Sequence, residues 1–228
     1  MTTTLTLPPL RLSDFKLIAF DMDSTLIDIE TVDEIADIAG CGPEVAAITE
    51  ATMRGEITDY KDSLRRRVAL LRGVPLSALQ AVYDQRLHLN PGAETLIAAC
   101  KQAGLRVVLL SGGFTFFTDR LRDRLQLDDT RSNVLEIEDG RLTGRMLPQL
   151  WGDICDGEAK KDKLLECCRA MGIPPARAIA VGDGANDLPM MGVAGLSVAY
   201  HAKPLVREAA TLAIDNGGLD RLLGFLKP

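Results

Sequence analysis

At 228 residues, 46% hydrophobic and 25% charged, the chain has the composition of a water-soluble globular protein with room for a full core and a small second domain. Its net charge of -6 argues against nucleic-acid or anionic-membrane partners, and no apolar run approaches the ~20 residues of a membrane helix. Five cysteines without CxxC spacing suggest neither a disulfide framework nor a zinc site, and with an N-terminus that lacks a secretory pattern they point to the reducing cytoplasm.

The first buried strand is expected at KLIAF (16–20). It runs into FDMDSTLIDIE, which places four carboxylates (Asp21, Asp23, Asp28, Glu30) within ten residues at the end of an apolar strand. Charge gathered there must be offset by something. Residues 27–90 then show helical periods, TVDEIADIAG, KDSLRRRVALLRG and PLSALQAVYDQRL, but no strand; the first opens with Thr31 and Glu34 at capping-box spacing. They read as an inserted all-α cap. The helix PGAETLIAACKQAG, from Pro91 to Gly104, leads to the strand RVVLL (106–110) and to SGGF, which opens another helix. NVLEIEDGRLTGRML reads as a β-hairpin around Asp139-Gly140, a small structural hairpin or flap. After the helix AKKDKLLECCRAMG come the strands AIAV (178–181), LSVA (196–199) and LAI (212–214). Unbroken apolar strands alternating with helices predict an α/β fold, a doubly wound, Rossmann-like parallel sheet over 14–26 plus 91–228, with 27–90 as the helical cap domain.

Ligands bind such sheets at the carboxyl ends of the strands. Three of those ends are polar: Asp21-Met22-Asp23, Ser111-Gly112-Gly113 and Gly182-Asp183-Gly184-Ala185-Asn186-Asp187. Asp21, Asp23 and Asp183 form an all-oxygen donor set that favours Mg²⁺ over thiolate- or imidazole-seeking metals, and His88 and His201 have no ligand spacing. A carboxylate-held metal beside a glycine-rich helix start suggests phosphate chemistry, with Gly112 and Gly113 N–H and the Ser111 hydroxyl as anion donors. A lysine to balance phosphate charge is available at Lys160 or Lys161.

DMDST, SGG, the lysine and GDGAND resemble the four motifs of the haloacid dehalogenase superfamily of phosphohydrolases. DSTLIDIETVDEIA, MRGEITDYKDSLRRRVALL, SGGFT and AVGDGANDLPMM resemble its phosphoserine phosphatase branch, in the short form without a regulatory domain, from about residue 15 to the C-terminus. The resemblance implies Asp21 as nucleophile forming an aspartyl-phosphate and Asp23 as general acid and then base. It implies Mg²⁺ held by Asp21, Asp23, Asp183 and Asp187, with Asn186 supporting. Ser111, Gly112, Gly113 and Lys160, which aligns with the motif lysine, would bind the phosphoryl oxygens. On the helical wheel of SLRRRVALL, Arg67 falls on the apolar face with Leu64, Val68, Leu70 and Leu71, whereas Arg65 and Arg66 do not. Spacing alone leaves Arg67 equally open to a packed stem with its head in solvent. The resemblance assigns it to a substrate carboxylate, Glu30 to the substrate ammonium and Met53 to packing against phosphoserine. One extra residue between MRG and SLRRRV puts Tyr60 where the family has Phe. A phosphotransferase passing the phosphoryl group to an alcohol such as homoserine, or a phosphatase for another small phosphomonoester, shares this core. A receiver domain would lack the second acidic motif, and a dinucleotide enzyme would need GxGxxG after the first strand.

Overall fold

The computed structural model describes residues 10–54 and 56–226. Seven strands, β1 (Leu17–Phe20), β2 (Arg106–Phe114), β3 (Asp129–Glu138), β4 (Arg141–Leu147), β5 (Ala178–Gly182), β6 (Leu196–Tyr200) and β7 (Leu212–Ile214), form one sheet in the order β4-β3-β2-β1-β5-β6-β7. All neighbours pair parallel except β3 with β4. β1 lies at the centre with β2 and β5 at its sides, so the crevice where the strand order reverses opens at its carboxyl end.

Both faces of the sheet are covered, which is why the central strands β1 and β5 are buried and without polar side chains along their whole length. Ile18, Phe20, Val107, Leu109, Ile179 and Val181 pack into one core, and Leu17, Ala19, Val108, Leu110, Ala178 and Ala180 into the other. The alanines of the second face leave space for a helix, Gly157–Ala170, which packs there through Leu164, Cys167 and Cys168. That close packing delivers the N-terminal turn of the helix to the end of β1.

Two strands exceed the sequence expectation by several residues, β5 and β6 by one each. β2 continues past Leu110 to Phe114, and β3 begins at Asp129 rather than at Asn133. Residues 129–133 pair parallel with β2, and from Val134 the same strand turns outward and pairs antiparallel with β4. The hairpin turn is as read, with positive φ at both Asp139 (49°) and Gly140 (72°).

Five helices lie between β1 and β2: α5 (Ala93–Gln102), next to β2, and before it a set of four, α1 (Thr31–Ala39), α2 (Gly42–Met53), α3 (Tyr60–Leu70) and α4 (Leu76–Gln85). The linkers into and out of this set pair with each other at Ile27 and Leu89. Asn90 Nδ2 ties them further, donating to the carbonyls of Thr25 and Ile27, each at 2.9 Å. The hairpin is not a free flap. Its outer strand is fastened to the α3–α4 turn by Gly73 N–H to Leu142 O (2.7 Å), Leu142 N–H to Val74 O (2.8 Å) and Leu76 N–H to Gly140 O (3.0 Å). Lys61 of α3 also reaches Asp153 (3.1 Å) and Asp156 (3.5 Å), and Arg65 pairs with Asp153. Exposed pairs of this kind contribute about 0–1 kcal/mol each, so the backbone bonds hold this edge more firmly than the charges do.

Candidate active site

β1 ends by presenting Asp21, whose N–H still bonds the Val181 carbonyl at 2.9 Å. The chain then makes one wide turn, Met22–Leu26, whose helical dihedrals fail at Asp23 (ψ 134°) and Ser24 (φ 56°). A serine in the left-handed region is uncommon and needs local bonds to hold it. It has them: Ser24 N–H reaches Ile29 O at 3.1 Å, and its hydroxyl donates to Glu30 at 2.7 Å. Thr25, one residue on, donates its hydroxyl to Asp183 Oδ1 at 3.0 Å, linking DMDST to GDGAND.

The capping box expected at Thr31 and Glu34 does not form. Glu30 occupies the N-cap position without a side-chain bond to the helix's own N–H groups, and Thr31 is the first helical residue. Its free N–H donates instead to Asp23 Oδ1 at 2.9 Å, so α1 is capped by a carboxylate from outside the helix. Nothing in local spacing could have signalled this, because the partner lies eight residues upstream across the turn.

Lys160, in the first turns of α7 (Gly157–Ala170), is fully buried, and its ammonium bonds Asp21 Oδ1 and Asp187 Oδ1, each at 2.7 Å. Asp156 caps α7 by accepting from Ala159 N–H at 2.9 Å. Lys161 instead lies at the surface, paired with Glu158. The other oxygen of Asp187 accepts from the N–H groups of Gly184 (3.0 Å) and Asp183 (3.2 Å). Carboxylate oxygens of Asp21, Asp183 and Asp187 lie within 4.8 Å of one another.

This crowd is short of positive charge. Burial, then the charges of Asp187 and Asp183, push Asp21 well above the usual carboxylate range despite Lys160. Burial and Asp187 raise Asp183 to about 6. Burial opposes the charge of Lys160, yet Asp187 and Asp21 outweigh it and hold the ammonium above its ordinary value. Two like charges ~4 Å apart cost about 4 kcal/mol at an effective dielectric of ~20, so three carboxylates around one lysine suit a hard divalent cation. The Asp23 carboxylate, expected as a fourth metal ligand, does not join this group. It faces Thr31 N–H, and burial followed by the charge of Glu30 pushes it up to about 7.

The SGG segment differs from expectation in place. Ser111, Gly112 and Gly113 end strand β2, and the helix α6 (Thr115–Leu125) starts only at Thr115. Gly113 N–H donates to Ser111 Oγ at 2.8 Å. A Cβ on Gly113 would stand 2.9 Å from Asp23 Oδ2, which places the two motifs side by side. A Cβ on Gly112 would stand 1.9 Å from the Tyr60 hydroxyl. Tyr60, at the start of α3, therefore covers the strand end directly. Gly112→Ala is expected to lower kcat/KM at least about tenfold by displacing this ring. Tyr60→Phe, which removes the colliding oxygen, is expected to recover part of the loss, a non-additivity readable in a double-mutant cycle.

Of the remaining predicted residues, Glu30, Met53 and Arg67 belong to the α1–α3 set and Asn186 to the turn after β5. Glu30 is exposed at the mouth, near Ser24 and Asp23. On α3, Leu64, Val68 and Leu71 are buried as the wheel requires, but Leu70 is 38% exposed. Arg67 is half-buried, and its Nε is buried with no hydrogen-bond partner among the described residues. Asp33 Oδ1 on α1 is likewise buried and unpartnered; burial raises its carboxyl while the Arg67 charge works to lower it. Periodicity did not single out Asp33, since it sits in a first turn where acidic residues are ordinary helix formers. Met53 ends α2, and its side chain lies outside the described residues. Asn186 is half-buried with its Oδ1 curled over Gly184, and makes no hydrogen bond to the other site residues.

Comparison with known proteins agrees with this geometry. The model of the haloacid dehalogenase-like hydrolases matches residues 18–192. A protein of Polaromonas sp. named phosphoserine phosphatase is 71% identical over 220 residues, covering 96% of this chain and 93% of the relative. One of the same name from Albidiferax ferrireducens is 68% identical, covering 97% and 93%. Among solved structures, a substrate-bound phosphoserine phosphatase complex superposes with a TM-score of 0.85 at 38% identity, covering 93% of this chain and 99% of that one. A phospho-aspartyl intermediate analogue of phosphoserine phosphatase gives the same TM-score, identity and coverage. With its motifs gathered at three strand ends and its similarity running over nearly its whole length, the chain belongs to the haloacid dehalogenase-like hydrolase family, in its phosphoserine phosphatase branch.

Proposed function

We propose that this chain hydrolyses O-phospho-L-serine to L-serine and phosphate, using Mg²⁺ and an aspartyl-phosphate formed on Asp21. The observation that carries the reading is the pairing of two carboxylates in unlike surroundings, Asp21 on the Lys160 ammonium and Asp23 on Thr31 N–H, beside the Ser111 hydroxyl. Asp21 is locked to Lys160 Nζ at 2.7 Å, which fixes the carboxylate that attacks phosphorus. Asp23, raised to about 7, holds a proton near neutral pH and can return it. In the first step it protonates the departing serine oxygen; in the second it takes a proton from the water that attacks the aspartyl-phosphate. Lys160, the Ser111 hydroxyl and the Gly112 N–H bind the phosphoryl oxygens, while the Gly113 N–H, expected among these donors, is instead engaged with Ser111 Oγ. Asp21, Asp183 and Asp187 would hold Mg²⁺, whose charge offsets the repulsion between an anionic nucleophile and a phosphate dianion.

The substrate is read from the helical cap, residues 27–90. A buried guanidinium N–H without an acceptor costs about 1–3 kcal/mol, and a substrate carboxylate would relieve it at Arg67 Nε. Glu30 offers the complementary charge for the ammonium group. No helix among the described residues is long and apolar enough to cross a membrane, and a cytoplasmic setting with a small-molecule substrate fits the free cysteines and the net charge.

Arg67→Ala tests the substrate assignment. Its KM for phosphoserine is expected to rise at least about tenfold, with p-nitrophenyl phosphate turnover nearly unchanged, because a charged bidentate contact is lost only for the carboxylate-bearing substrate. An equal effect on both substrates would show that Arg67 does not hold the substrate carboxylate.

A further inference from the structure

Asn133 stands where β3 stops pairing with β2 and turns out into the hairpin. Its side chain is 1% exposed. A buried carboxamide persists only where its donors and acceptors are met. Here Nδ2 donates to the carbonyls of Gly112 (2.7 Å) and Gly113 (3.2 Å), and Oδ1 accepts from Cys155 N–H (2.7 Å). The β2–β3 ladder is irregular between Leu110 and Phe114, so one side chain supplies bonds at the place where regular pairing lapses.

These bonds have a directional consequence. In a trans peptide the C=O and N–H groups point to opposite sides. Holding Gly112 O toward β3 turns the next N–H, that of Gly113, away from β3, where it meets Ser111 Oγ at 2.8 Å. With its oxygen accepting that bond, the Ser111 hydroxyl keeps its own proton free to donate. The third bond reaches Cys155, the residue before Asp156, which caps the helix carrying Lys160.

We propose that Asn133 is a positioning residue of the phosphoryl cradle. One carboxamide sets the Ser111 hydroxyl, the Gly112–Gly113 peptides and the approach to the Lys160 helix relative to each other, without touching the substrate. The inference rests on the phosphatase reading above.

Two variants test it. Asn133→Asp keeps the shape and the acceptor for Cys155 but faces two carbonyls with an oxygen. Asn133→Ser leaves one short donor. The inhibition constant for inorganic phosphate is the decisive readout, because it is a property of the folded molecules and does not change with the fraction that folds. In both variants it is expected to rise about tenfold or more, with a fall in kcat. The kcat/KM ratio of phosphoserine to phosphoethanolamine should stay at the wild-type value, since Glu30 and Arg67 are untouched. Wild-type inhibition constants in both variants, with kcat reduced only in step with folded protein, would reduce Asn133 to a structural filler and overturn the proposal. A wild-type chain that neither hydrolyses phosphoserine nor binds inorganic phosphate would overturn the phosphatase reading and this inference together.

Discussion

Asp21→Asn is expected to abolish phosphoserine hydrolysis, by about 10⁴-fold or more, in a protein that still folds. The amide keeps the shape at the end of β1 and an oxygen for Lys160, but it is no nucleophile toward phosphorus. Folding should not suffer, because the native carboxylate is crowded by Asp187 and Asp183 and desolvated, and only partly offset by Lys160. In chelator the variant is expected to melt at or above the wild-type temperature. Mg²⁺ should raise its Tm less than it raises that of the wild type, one of three candidate ligands having lost its charge. Mass spectrometry during turnover should detect a phosphoryl adduct on the wild type and none on Asp21→Asn. Retained turnover would move the nucleophile elsewhere.

Lys160→Met is expected to damage stability and activity together. The ammonium is fully buried between Asp21 and Asp187, so its removal leaves two buried carboxylates without their cation. Breaking a buried ion pair from one side costs about 3–5 kcal/mol, a large part of a domain's total stability. Urea unfolding in chelator should show a loss of that size, and added Mg²⁺ should reduce it, because a second cation takes over part of the neutralisation. kcat should fall by two orders of magnitude or more with the loss of a charge aimed at the phosphoryl group. Lys161→Met, by contrast, removes only a surface pair with Glu158 and should change stability by about 0.5 kcal/mol or less. Urea curves of the two variants, taken side by side, separate these expectations.

The five parallel strands read from the sequence were legible because a sheet covered on both faces leaves apolar residues at every position, as in LIAF of β1 and AIAVG of β5. The start of β3 was not. DTRSN carries no apolar run, since its side chains are employed in bonds: Arg131 with Glu166, Ser132 with Thr118, and Asn133 with the SGG segment. The polar strand ends could be collected because carboxyl ends of parallel strands are where such folds place ligands. What escaped was every contact whose partner is distant in sequence and polar by choice of geometry rather than pattern. Thr31 N–H on Asp23, Thr25 on Asp183 and the Tyr60 hydroxyl over Gly112 leave no periodic trace. The fastening of the hairpin to the α3–α4 turn is hidden for the same reason, as it is made by backbone groups that every residue carries.

Phosphate release from O-phospho-L-serine and from phosphoethanolamine, each with Mg²⁺ and with EDTA, tests the metal site and the carboxylate contact together. The two substrates share the phosphoryl group and the ammonium, and only the first carries a carboxylate for Arg67. A kcat/KM at least about a hundredfold higher for phosphoserine is expected, a preference the size of a charged, desolvated contact, together with loss of both activities in EDTA. Equal rates for the two substrates, or turnover that survives EDTA, would contradict it.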